Sequence, residues 1–256
     1  SATKQLEDAI IRENKAGKGG AGIYLKGGEP IIESCTVTRN EIEETSVKGA
    51  GAGLFIENGT KVTIIDVVAE KNKAGSADGR GGGAFLSFLS ELKFSKGSND
   101  KAKYGNFMAS DGYASNFTSN EAYEGGAIYV NGATIHASTS GASSSTLLLS
   151  ENRAILGGSI FVSSTDIEDV SGTVNGEEGK EVRISNVEGR GARKPATATK
   201  ESKGGGLYCA KGSRLNLTSS TFNSNIAELG GALYLAAFTQ VNMKNVEVTS
   251  NIALSS

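Results

Sequence analysis

The sequence predicts an all-β chain wound as a right-handed parallel β-helix of about seven coils, with loops of irregular length leaving its corners. Three observations point there. An apolar-aromatic pair follows a glycine-containing turn at Ile23-Tyr24, Leu54-Phe55, Ile128-Tyr129, Ile160-Phe161, Leu207-Tyr208 and Leu233-Tyr234, with Phe85-Leu86 as a reversed variant. An apolar residue stands three positions before each of Asn14, Asn40, Asn72, Asn120, Asn152, Asn225 and Asn251. Between these two marks lie runs such as VTIIDVVAE from Val62, ATIHAS from Ala133, RLNLTSSTF from Arg214 and VNMKNVEVTS from Val241. Their alternation has the period of strands.

Taken along the chain, the paired residues are separated by 31, 31, 43, 32, 47 and 26 positions. A constant unit that tolerates such uneven spacing is the mark of a solenoid, in which insertions leave from corners without disturbing the stack. A propeller blade needs roughly 40 to 45 residues and four strands, more than the shortest unit provides. Coils stacked about 4.8 Å apart give a core of roughly 30 to 35 Å. At each corner the asparagine is expected to tolerate a left-handed backbone and to share amide hydrogen bonds with its equivalents above and below. The 35 glycines, against only two prolines, then serve the tight turns. In triplets such as Ile128-Tyr129-Val130 the outer residues are expected in the core and the aromatic on the opposite face. One unit, ending near Leu207, carries no clean asparagine copy. The whole of 1–256 reads as a single β-helix domain, a segment of a longer chain, with insertions at about 95–115, 138–146 and 163–203.

Phe117-Thr-Ser-Asn120 with Gly125-Gly-Ala-Ile128, and Phe222-Asn-Ser-Asn225 with Gly230-Gly-Ala-Leu233, are close copies of one pattern, FxxN followed by GGA[ILV]. This pattern resembles the polymorphic outer membrane protein repeat of chlamydial surface autotransporters and of some eukaryotic surface proteins. The likeness covers nearly the whole chain. It implies a β-helical autotransporter passenger displayed outside the cell and used in adhesion. The family's carboxy-terminal membrane barrel has no counterpart in this sequence.

Composition narrows the partners. With 26 basic and 28 acidic residues the formal net charge is -2, which offers no general attraction to nucleic acid or to an anionic membrane. No apolar run approaches the roughly 18 residues of a membrane span. The resemblance implies an extracellular or cell-surface setting, and no membrane insertion is expected of this segment. The partner is expected to be a cell-surface protein or glycan, bound through loops and the aromatic ladder Tyr24, Phe55, Tyr129, Phe161, Tyr208 and Tyr234. A second reading makes the chain a building block of an extracellular filament, self-associating head to tail through open coil ends. A third is a polysaccharide lyase or hydrolase, which needs clustered carboxylates. Asp66, Glu70 and Lys71 supply the one small group, and no matching carboxylates recur in adjacent coils, so no catalytic residue is assigned and the chain is read as non-enzymatic.

Other features carry bland readings. Cys35 and Cys209 sit at alternating strand positions and read as small core residues. His136 alternates with Ile135 and points outward. The insertion from 163 to 203 holds an acidic part (Asp166, Glu168, Asp169, Glu177, Glu178, Glu181) and a basic part (Arg190, Arg193, Lys194, Lys200, Lys203), read as a solvated loop rather than a calcium site. GRGGGAF and GAGAGLF lack the spacing of phosphate-binding loops. No metal or cofactor is expected. The sequons at Asn58, Asn116 and Asn216 are glycosylation sites if the protein passes through a eukaryotic secretory route.

Overall fold

A computed structural model describes residues 5–43, 49–57, 59–75, 78–95, 113–137, 146–164, 182–185 and 187–254. Among them there is no helix, and every strand pairing is parallel. Three long sheets run the length of the molecule, consistent with a parallel β-solenoid. The first has eight strands, from Gln5–Glu7 to Gln240–Lys244; the second has eight, from Ile10–Arg12 to Glu247–Thr249; the third has seven, from Ile23–Leu25 to Leu233–Leu235. Neighbours within each sheet are successive in the winding, so the chain visits first, second and third sheet in turn. The core lies between them and is filled by side chains such as Ile32, Ile64, Phe94, Phe117, Ile128, Val162, Leu207 and Phe222, all essentially inaccessible to solvent.

Left-handed turns separate the sheets. The residue in the left-handed region is the one preceding each asparagine, not the asparagine itself: Glu13, Arg39, Lys71, Ser119, Glu151, Ser224 and Ser250 have φ between 53° and 58°. This corrects the expectation above. It frees each asparagine to turn its amide along the axis. Gly51 shows why the third corner, ahead of the third sheet, requires glycine. Its φ is +60°, and a Cβ would lie 2.3 Å from the Leu54 carbonyl oxygen.

The asparagine bonds follow one rule. Asn40 receives the N–H and Nδ2 of Asn14 on its Oδ1 (3.1 and 2.9 Å) and itself donates both to Asn72 Oδ1 at 3.0 Å. Asn72 donates in the same way to Asn120, and Asn120 to Asn152. The second amide hydrogen reaches the carbonyl three residues before the preceding asparagine, as in Asn120 Nδ2 to Ala69 O at 2.9 Å. Asn40, Asn72, Asn120, Asn152 and Asn225 are fully buried, so these bonds satisfy groups that water cannot reach.

The ladder breaks once. In the coil that ends at Leu207, Ala192 holds the asparagine position: its N–H donates to Asn225 Oδ1 at 3.1 Å, and Asn225 Nδ2 reaches Gly189 O at 3.0 Å. The FxxN pattern is here reduced to Gly189-x-x-Ala192. A Cβ on Gly189 would lie 3.0 Å from the Phe222 ring, so the phenylalanine of the next coil occupies that room. Asn152 therefore meets a methyl group where the others meet an amide oxygen, and the nearby Ser159 Oγ is buried without a partner.

Substituting Ala192→Asn is expected to complete the ladder and raise stability by about 1 kcal/mol or more. Asn120→Ala, which strands the N–H and an amide hydrogen of buried Asn72 and removes the amide donor to Asn152 Oδ1 and Ala69 O, is expected to cost about 2–4 kcal/mol. Thermal or urea unfolding of the two variants checks the pair.

Candidate functional site

On the outer side of the third sheet, the middle residue of each strand places a ring directly over its equivalent in the next coil. Seven rings form one continuous stack: Tyr24, Phe55, Phe85, Tyr129, Phe161, Tyr208 and Tyr234, with centroids 4.9 to 5.3 Å apart and interplanar angles of 2° to 17°. Phe85 belongs to this stack. It pairs with Phe55 and Tyr129, while Ala84 takes the apolar position, so the sequence-based reversal of this unit was a misalignment by one residue. The signal was present in the run GGGAFL, where alanine rather than phenylalanine follows the glycines.

Ring faces are consumed by the stack, and solvent meets mainly edges and hydroxyls. The centre is closed even to that: Phe55, Phe85, Tyr129 and Phe161 are buried, packed with Ala50 and, at their margin, Leu156 and Ala210. Arg80 lies with its guanidinium carbon 5.0 Å from the Tyr129 ring centroid and is held there by Glu124 at 3.1 Å. At one end Tyr24 is 52% exposed, and its hydroxyl donates to Glu57 at 2.7 Å. At the other end Tyr208 and Tyr234 are half-buried.

The range 163–203, expected as one insertion, contains the strands Val182–Ser185 and Val187–Arg190 of the first and second sheets, because their alternating Val182, Ile184 and Val187 fill the core; the chain from 193 to 203 then passes beside Tyr208 and Tyr234 and brings two lysines. Lys203 Nζ lies 5.4 Å from the Tyr234 ring centroid; Lys200 Nζ lies 4.6 Å from that of Tyr123 and donates to its hydroxyl at 3.3 Å. Burial, followed by the proximity of Tyr234 and Glu124, pushes the Tyr208 hydroxyl above its ordinary pKa, so it remains a donor at physiological pH. The segment is anchored by Glu228, whose carboxylate accepts from the Lys194 ammonium, the Ser202 hydroxyl and the Ser202 N–H, the last at 2.8 Å. Desolvation works against ionisation of Glu228, but these donors outweigh it and hold the carboxyl below its ordinary value. The result is a surface of three tyrosines and two ammonium groups on the outside of the solenoid, with Lys203 also paired to the exposed Glu201 carboxylate at 3.5 Å. Sequence reading named Tyr208, Tyr234, Lys200 and Lys203 separately and missed Tyr123, since no repeat relates that residue to the lysine loop.

The remaining candidates are dispersed. Asp66 sits at the turn ahead of strand Val67–Glu70, while Glu70 ends that strand, so the two carboxylates lie at opposite ends of it. Glu70 is occupied by Thr38 Oγ1 at 3.2 Å and by Lys71 at 3.6 Å. His136 is exposed on the outer face of the first sheet, its Nδ1 2.7 Å from Ser185 Oγ. Among the described residues no group of three or more His, Cys, Asp or Glu could hold a metal ion. Asn116 and Asn216 lie on strands and are half-buried; Asn58 and the acidic residues Asp166, Glu168, Asp169, Glu177, Glu178 and Glu181 lie outside the described residues. No helix among the described residues is long and apolar enough to cross a membrane. No protein-family profile matches the chain, and neither the curated proteins nor the solved structures compared with it give a significant match.

Both thiols are free and buried. Desolvation raises the pKa of Cys35 and pushes that of Cys209 up to about 12. Neither is expected to react with a thiol reagent in the native protein at neutral pH, since the thiolate is the nucleophile, and both react after denaturation; mass spectrometry after labelling reads the difference. Glu228→Gln is expected to loosen the 193–203 segment, seen as faster proteolysis there, with the solenoid unchanged. In the wild type the same loosening is expected as pH falls through the lowered pKa of Glu228, because a depressed carboxyl pKa gives stability that is present above the ordinary value of 4.5 and lost on protonation.

Proposed function

We propose that this chain is a non-enzymatic, extracellular segment of about seven right-handed β-helical coils that binds acidic glycans of a cell or matrix surface through the cluster of Tyr123, Lys200, Lys203, Tyr208 and Tyr234. The observation that carries this reading is the meeting of two lysines with the half-open end of the aromatic stack. Lysines supply charge-assisted hydrogen bonds to carboxylate or sulfate groups, and tyrosine edges and hydroxyls supply apolar contact and donors to sugar rings. The solenoid fixes the backbone of Tyr208 and Tyr234, which lowers the ordering cost of binding. The scattering of Asp66, Glu70 and His136 favours binding over catalysis. The likeness of FxxN and GGA[ILV] to the polymorphic outer membrane protein repeat supports the same reading, with surface display as an autotransporter-like passenger.

The test is a glycan array with the wild type and with Lys200→Glu/Lys203→Glu. Binding to acidic glycans is expected, falling roughly tenfold or more in the double variant and weakening as salt rises. Absence of binding by the wild type, or equal binding by both proteins, contradicts the proposal. Release of unsaturated sugars from a polyuronate would replace it with a lyase.

A further inference from the structure

The break in the asparagine ladder gathers buried polar groups on one spot. Every asparagine with an asparagine in the next coil donates its N–H and one amide hydrogen to that neighbour's Oδ1, as Asn72 does to Asn120 at 3.0 Å. Asn152 has Ala192 there instead. Among the described residues both of those hydrogens lack an acceptor, while its other amide hydrogen goes to Phe117 O at 2.9 Å. Two acceptors face the same place. Asn225 Oδ1 receives only the Ala192 N–H, where Asn120 Oδ1 receives two hydrogens, and Leu149 O gets no amide of the kind that Phe117 O and Gly189 O accept. Asn152, Asn225 and Leu149 are all inaccessible to solvent, so none of these groups is satisfied from outside.

A hydroxyl joins them. The residue just ahead of each third-sheet strand is in turn Gly22, Gly53, Gly83, Ala127, Ser159, Gly206 and Ala232, and only Ser159 carries a polar side chain. This position touches the asparagine amide of the next coil: a Cβ on Gly22, Gly53, Gly83 or Gly206 would lie 3.0 to 3.2 Å from the Nδ2 of Asn40, Asn72, Asn120 or Asn225. Ser159 thus stands beside the place where Ala192 brings no carboxamide, and its Oγ is buried without a partner. The one hydroxyl of the series falls in the one coil whose next neighbour lacks the asparagine.

We propose that this spot binds one internal water molecule, which takes the part of the side-chain amide that the repeat would place there. The chemistry of the groups selects it. Two N–H donors turn away a cation, and full burial among neutral groups turns away an anion. Asn225 Oδ1 and Leu149 O require a ligand that donates as well as accepts. Water accepts from the Asn152 N–H and Nδ2–H and donates to those two oxygens, with the Ser159 hydroxyl as a further partner; buried waters typically make about three such bonds. The carboxamide that alanine lacks corresponds to the room of about one water, whose share of liquid volume is roughly 30 Å³. Bound there, the water carries the ladder across the coil that bears the lysine loop. The inference is independent of glycan binding, since the spot lies in the core.

The experiment is NMR detection of magnetisation transfer from water to the folded chain, for the wild type and for Ala192→Asn and Ser159→Ala, with circular dichroism checking that each variant is folded. In the wild type, cross-peaks from long-lived water to the Asn152 N–H and Nδ2–H are expected. They are expected to vanish in Ala192→Asn, where the carboxamide takes the spot, and to survive in Ser159→Ala, where the other groups remain. Their absence from the wild type overturns the proposal, as does their persistence in Ala192→Asn. Their loss in Ser159→Ala shows the hydroxyl proton rather than water to be the source, and overturns it as well.

Discussion

In a parallel stack each residue meets its own equivalent about 4.8 Å away, and this constraint governs the rest of the molecule. Only some side chains tolerate such self-contact. An asparagine amide does, because it carries donor and acceptor in one plane, and here it closes a chain of hydrogen bonds from Asn14 to Asn152 that is buried from Asn40 onward. Aromatic rings do, through the seven-membered stack on the third sheet. Like charges do not, and the column after the asparagines accordingly alternates as Lys15, Glu41, Lys73, Glu121 and Arg153. Lys15 and Glu41 lie 3.8 Å apart, Lys73 and Glu121 3.9 Å; as exposed pairs they avoid repulsion more than they add stability.

The alternation and the asparagine ladder fail together. Arg153 is followed by Arg193, and Asn152 by Ala192, in the same coil that carries the longest excursion from the repeat. That coil compensates through contacts of another kind. Phe222 fills the space above Gly189, and Glu228 gathers Lys194 and Ser202. The same contacts set the lysine loop beside Tyr208 and Tyr234, so the coil with the poorest repeat is the one that builds the candidate binding surface.

This division explains what was legible in the sequence. The strands, the inward and outward faces and the asparagine positions follow from self-stacking, which imposes one residue type at one spacing and so leaves a visible pattern. Three things did not follow. The left-handed residue before each asparagine carries no such signature, since Glu13, Arg39, Lys71 and Ser119 share only a backbone conformation. Phe85 was placed one residue out because its unit has three glycines before the apolar residue and Ala84 in the apolar position. The association of Tyr123 with Lys200 spans 77 residues and rests on a single contact between a corner and a loop, which no periodicity encodes.

The central claim is that the buried asparagine amides hold the coils in register. Hydrogen exchange of the asparagine side-chain amides, followed by NMR on the native protein, tests it most directly. Slow exchange is expected for Asn40, Asn72, Asn120 and Asn225, with faster exchange at Asn152, where the ladder meets Ala192. Uniformly fast exchange, at the rate of exposed asparagines, would contradict it.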